Sequence, residues 1–237
     1  MAESLPTLIL CAHGRGVAAD RRHVPELLAE ELRADGLFAD VRTAYLKGRP
    51  DLATALAQPA SAEIVLVPLL MADGYTNKVI LPAALETVGA GQVTVARPVG
   101  ESPALVPMIH GDAKSRCEAL GWASRDTTIF IAGHGTGRDR NSAATAERLA
   151  AEIARSADFR DVRAAFLEQE PFLEGALRSC RPNRCLVIGF FMDQGGHGAE
   201  DIPRLIAREH PEAAYTGPIG ALPEFATVVH AAALAAI

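Results

Sequence analysis

Short apolar runs alternate with amphipathic stretches along the chain. The runs fall at 7–12, 40–44, 64–69 and 92–96 in the first half, and at 128–132, 161–165, 185–190 and 213–216 in the second. Their β-branched, mostly continuous apolar character predicts strands buried on both faces. Between them, segments such as 25–33 and 143–155 space Leu and Ile at helical intervals, leaving the opposite face polar. Strand, helix, strand order predicts parallel sheets with right-handed crossovers.

The same pattern occurs twice. Residues 38–56 read FADVRTAYLKGRPDLATAL and residues 159–177 read FRDVRAAFLEQEPFLEGAL, with 10 of 19 positions identical and no gap. The offset, 159 − 38 = 121, also aligns His13 with His134, Met71 with Met192 and Pro82 with Pro203. Towards the end of each half it becomes 120, pairing His110 with His230. An internal repeat of this length predicts two similar lobes. The expected fold class is α/β, with two tandem flavodoxin-like lobes, 1–121 and 122–237, joined near 121–126.

The repeat supplies an internal control for chemistry. His134 lies in a His-Gly turn after the first strand of the second half, and His13 is its counterpart. Glu168 follows the second strand, and its counterpart is Lys47. His197 follows the third strand, and its counterpart is Thr76. Parallel α/β sheets bind ligands outside the carboxyl ends of their strands, where all three second-half residues map. Any one of them could be an ordinary turn residue, but the full set survives only in the second half. That half is therefore expected to hold one site, with the first-half site degenerate. Two imidazoles and a carboxylate suit Co²⁺, Fe²⁺, Ni²⁺ or Zn²⁺ and leave coordination positions open. Gly195 and Gly196, among other glycines, clear side chains from the rim for a flat, bulky ligand. Asp201 and Pro203 mark a helix start whose amides could take an anionic group.

Composition narrows the partners. The 237-residue chain is 49% hydrophobic, carries a net charge of −6 and is 5% aromatic. No basic face or stacking platform for nucleic acid is expected. No apolar run reaches the length of a membrane span, and no leader pattern is seen at the N-terminus. A cytoplasmic monomer or homodimer is the expectation. Cys11, Cys117, Cys180 and Cys185 form no C-x-x-C pair and read as buried thiols. The spacing of Cys180 and Cys185 does not by itself identify a metal site.

The His-Gly loop, the Phe166-Leu167-Glu168…Pro171 segment and Gly195-x-His197-x-x-x-Asp201-Ile202-Pro203 together resemble the CbiX/SirB-type sirohydrochlorin chelatases of the class II chelatase superfamily. The resemblance covers nearly the whole chain and implies the two-lobe layout. It implies insertion of a divalent metal, Co²⁺ favoured and Fe²⁺ or Ni²⁺ as alternatives, into sirohydrochlorin, a tetrapyrrole bearing eight carboxylates. Cobalt would serve cobalamin synthesis and iron sirohaem. By the same resemblance His134 and His197 would ligate the metal, one of them helping remove pyrrole protons, and Glu168 would be a third ligand or an acid/base partner. In longer relatives the working histidine pair is often in the first half, where this chain keeps His13 but has Thr76 and Lys47 at the positions matching His197 and Glu168. Arg15, Arg138, Arg140, Lys47 and Lys78 are candidates for holding substrate carboxylates, since an acidic protein needs local positive charge to bind such an anion. A non-catalytic tetrapyrrole or metal carrier is the competing reading. A histidine phosphatase also uses a His-Gly turn but needs an Arg before the histidine, where this chain has Ala12 and Gly133.

Overall fold

The computed structural model describes residues 5–14, 23–90, 92–135, 140–181, 183–193 and 197–237; the side chains of 140–142 and 197 lie outside that description. Contacts divide the chain into two units, Met1–Ser102 with Pro223–Ile237, and Pro103–Leu222.

The first unit holds a parallel sheet of β1 (Thr7–Gly14), β2 (Asp40–Lys47), β3 (Ile64–Pro68) and β4 (Val93–Val95) in the order β2-β1-β3-β4. In β1, Leu8, Ile9 and Leu10 are fully buried, as expected of a central strand covered on both faces. α1 (Val24–Ala34) buries Val24, Leu28 and Leu32, a one-sided stripe at i, i+4 spacing. The run Arg21-Arg22-His23 reads as a solvated helix start, but His23 is buried, and its carbonyl accepts the amides of Glu26 and Leu27. Its neighbours Arg21 and Arg22 lie outside the described residues. α2 (Leu52–Leu56) and α3 (Leu81–Thr87) complete the crossovers.

The second unit opens with α4 (Leu105–Ala119). Its sheet comprises β5 (Thr127–Gly133), β6 (Asp161–Phe166), β7 (Arg184–Gly189) and β8 (Ala214–Pro218), ordered β6-β5-β7-β8 and also parallel. α5 (Arg140–Ala154), α6 (Leu173–Cys180) and α7 (Ile202–Glu209) cover it. One apolar cluster packs Leu173 and Leu177 of α6 and Ile202 and Ile206 of α7 on Phe130 and Val187. All four cysteines are buried free thiols. Burial pushes Cys11 up to about 12 and also raises Cys185, so both thiols keep their protons.

The repeat and the units do not share boundaries. The last helix of each repeat belongs to the other repeat's unit, so the division falls after Ser102 and after Leu222, not at 121/122. α8 (Phe225–Leu234) ends the second repeat but packs on α1 and β3 of the first unit. Matching contacts seal both exchanges. His110 of α4 meets Asp158 at 2.8 Å and the Phe159 ring edge-on at 5.4 Å. His230 of α8 meets the ring of Phe38, the counterpart of Phe159, edge-on at 6.0 Å. These contacts give both histidines a packing role.

Before each exchange the chain passes a tight glycine. A Cβ on Gly100 would lie 2.1 Å from the carbonyl oxygen of Met71, and one on Gly220 would lie 2.0 Å from that of Met192. Met71 and Met192 thus close the chain back on itself through backbone approach. Gly220→Ala should destabilise the protein by roughly 1–3 kcal/mol through overpacking. Gly111→Ala, in the interior of α4 with nothing within 4 Å of its Cβ position, should stabilise it by roughly 0.5–1 kcal/mol. Urea unfolding of both variants checks the pair, and a neutral Gly220→Ala would remove the close-approach argument.

Candidate functional site

The second unit brings two of the candidate residues together by backbone hydrogen bonds. β5 and β6 pair in register to Gly133↔Phe166, and there β5 stops. The next carbonyl, of His134, accepts the amides of Leu167 at 3.1 Å and Glu168 at 2.9 Å. The turn needs glycine twice over. Gly135 has φ +71°, and a Cβ there would lie 2.5 Å from Cγ of Gln169. His134 and Glu168 are consequently held side by side, with Nδ1 3.6 Å from the Glu168 carboxylate. Nδ1 also lies 2.7 Å from the carbonyl oxygen of Gly135. A carbonyl can only accept, so Nδ1 carries the proton and the lone pair of the neutral ring sits on Nε2. Nε2 is then the nitrogen able to ligate a metal, with a carboxylate behind the ring, a common support for ligating histidine.

The third candidate enters on the backbone. β7 ends at Gly189, and His197–Asp201 forms a π-turn that runs directly into α7. Single π-turns often mark functional positions. His197 opens this turn beyond the carboxyl end of β7, on the same edge of the sheet as the ends of β5 and β6. One expectation is corrected here. Asp201 and Pro203 do not open a helix with exposed amides, because Asp201 is already helical, at φ −69° and ψ −45°, inside a continuous turn. The side chain of His197 lies outside the described residues, as do Arg15, Arg138, Gly195 and Gly196. Among the described residues, no three His, Cys, Asp or Glu side chains gather to hold a metal ion.

The first unit shows what the same plan looks like without the set. β1 does not stop at its His-Gly pair but continues through it, pairing Gly14 with Lys47. Burial lowers the affinity of His13 for a proton, and the charge of Lys47 lowers it further. A cation at this point also opposes a metal ion. Thr76–Ile80 repeats the π-turn, at 197 − 76 = 121, with Thr76 in place of histidine. There Lys78 pairs with Asp73 at 3.4 Å.

Three residues missed in the sequence join the second site. Arg204 and Arg208 of α7, with Leu167, Glu168, Asp201 and Leu205, line a cleft of about 340 Å³. Arg208 meets Glu174 at 3.2 Å and the largely buried carboxylate of Glu209 at 2.6 Å, whereas Arg204 sits in an exposed ion pair with Glu200 at 2.7 Å. Exposed pairs of this kind are worth little and exchange readily for another carboxylate. Their i, i+4 spacing beside the Asp-Ile-Pro motif was the available signal. Tyr215 of β8 is the third, and its burial pushes the phenol up to about 12. A wider cleft of about 570 Å³ runs beside Arg163 and Phe172, between β6 and α6, and contains none of the candidates.

Comparison with known proteins agrees with this layout. The CbiX family model matches the chain twice, over residues 7–115 and 128–236, in the register of the internal repeat. A relative from Halobacterium salinarum, a probable sirohydrochlorin cobaltochelatase, is 25% identical over 222 residues, covering 84% of this chain and 76% of its own. Among solved structures, CbiX described as the terminal enzyme of sirohaem biosynthesis in denitrifying bacteria superposes with a TM-score of 0.79 at 25% identity, covering 98% of this chain and 99% of that one. SirB from Bacillus subtilis with Fe³⁺ has the same fold, with a TM-score of 0.76 at 15% identity over 98% of this chain and 97% of that one. With both halves matched along nearly their full length, the chain belongs to the CbiX family.

Proposed function

We propose that this protein inserts a divalent metal into sirohydrochlorin, and that its second half, not its first, holds the working site. The observation that carries the reading is the contrast between His134 beside Glu168 and His13 beside Lys47. A carboxylate behind the ring suits a metal ion at that histidine, whereas an ammonium group opposes one.

The overall reaction takes in M²⁺ and releases two pyrrole N–H protons. His134 and His197 would hold the incoming metal, His134 through Nε2. The position of Glu168 opposite Nδ1 favours an acid/base partner over a third ligand. It stabilises the imidazolium formed when His134 accepts a proton, and the metal-binding and proton-accepting steps follow one another at one nitrogen. Substrate carboxylates would be met by Arg204 and Arg208, joined by Arg138 beside the His-Gly turn. Lys47 and Arg15 on the first half remain candidates for the same task. Cobalt is the favoured metal because the Halobacterium salinarum relative is named for it. Iron is the second reading, because the CbiX structure is a sirohaem enzyme. No described helix is long and apolar enough to cross a membrane. We place the reaction in the cytoplasm, with a monomer or homodimer as the working form.

Three variants test the site. With sirohydrochlorin and Co²⁺ or Fe²⁺, followed by absorbance, His134→Ala and His197→Ala should each lower kcat/KM by about 10²-fold or more. His13→Ala should stay within about twofold, since a change in a residue outside the chemistry leaves the barrier nearly unaltered. Loss at His13 with none at His134 would reverse the assignment, and equal rates for all three would favour a carrier.

The charge contrast has its own test. Lys47→Met should raise the proton affinity of His13, and Lys47→Glu should raise it more. Lys47 is the second cause of the depression and burial the first, so Lys47→Met should leave His13 below its ordinary value. Proton NMR titration of the imidazole reads this directly. No upward movement in either variant would mean that Lys47 does not act on His13.

A further inference from the structure

Tyr215 carries a polar group that nothing above employs. Among the described residues, its hydroxyl oxygen is closed off from solvent and has no hydrogen-bond partner. A buried phenol normally finds one, because lost contacts with water are otherwise not replaced. Here the surroundings are shaped to admit the hydroxyl without satisfying it. A Cβ on Gly189, the last residue of β7, would lie 2.6 Å from that oxygen. A Cβ on Gly198, next to His197 in the π-turn, would lie 3.6 Å from it and 3.4 Å from the carbonyl oxygen of Asp193. The hydroxyl therefore sits against the base of the turn that begins with His197.

The first unit again provides the control, and it differs at all three positions. Strand register places Val95 opposite Leu66 where Tyr215 stands opposite Val187. Pro68 stands where the second unit has Gly189, and Asn77 where it has Gly198. Asn77 ties its own π-turn to the preceding loop, donating from Nδ2 to Asp73 at 2.8 Å. In the second unit that side chain is gone, and a tyrosine hydroxyl reaches the vacated side of the turn from β8. The tyrosine and both glycines occur together with His197 and are replaced together with it.

We infer that Tyr215 is a positioning residue, whose hydroxyl supplies a hydrogen bond to the His197 turn when that turn takes up the divalent metal. This rests on the reading that the second half holds the site. A hydroxyl can donate or accept, so it can follow a turn that shifts on loading. Without metal it is unpaired among the described residues and a cost to stability, which the loaded state recovers. Residues retained for such a role characteristically trade stability against function.

Tyr215→Phe removes the oxygen and keeps the ring, so the two effects have opposite signs. Without metal, the variant should melt no lower than the unaltered protein and up to about 2–4 °C higher. Titrated with Co²⁺ alone and followed by cobalt d–d absorption, it should bind roughly 10-fold more weakly, the lower end of losses seen for residues that orient ligands. With sirohydrochlorin present, kcat should fall while KM for the tetrapyrrole stays within about twofold, since the substrate contacts are untouched. Unchanged Co²⁺ affinity in Tyr215→Phe, alongside weakened affinity in His134→Ala and His197→Ala, would overturn the role of Tyr215 and leave the site standing. A lowered melting temperature with unchanged affinity would make Tyr215 a packing residue and overturn it equally. Unchanged affinity in the two histidine variants would overturn the site and this inference with it.

Discussion

Two amide donors on one carbonyl hold the candidate site in place. The amides of Leu167 and Glu168 converge on the carbonyl of His134, just past the last paired residues of β5 and β6. That stitch forms only because the β5–β6 register ends at Gly133 and Phe166. Side chains alternate across a strand, so a slip of one residue would turn the buried set of β6 outward and dissolve the pairing. Burial of Val162 and Phe166 on one face of β6 opposes the slip. The apolar core is thus what fixes an arrangement of two polar side chains, one 39% and the other 58% exposed, that could not hold itself together in water.

The first half has the same core and the same register but not the same ending. Gly14 remains on the ladder with Lys47, while Gly135, at φ +71°, takes the chain off it. One strand therefore presents its histidine as part of a sheet edge and the other as part of a turn. With a lysine replacing the carboxylate and a threonine replacing His197, several independent changes point the same way.

Strands were legible because a doubly buried strand must be apolar nearly throughout, as 128–132 and 185–190 are. The proposed site set was drawn from the repeat, which let each residue be compared with its twin. Other features were not legible. The exchange of α4 and α8 leaves no local trace, since the helix that suits one sheet suits its near-identical sister as well. His23 reads as polar and solvated beside two arginines, and only tertiary packing shows that it is buried. Tyr215 was hidden for a different reason. Its strand is short and weakly patterned, and its partners Gly189 and Gly198 acquire meaning only when the hydroxyl is placed between them. The π-turn could not be read either, because Asp201-Ile202-Pro203 has the look of an ordinary helix start.

The exchanged helices bear on how such a chain can change over time. Each sheet is finished by a helix encoded in the other half, so the core of the second unit is incomplete without residues from the first repeat. A half that loses its chemistry cannot for that reason be discarded. It has to be kept as scaffolding, because its last helix finishes the other sheet whatever stands at Lys47 and Thr76.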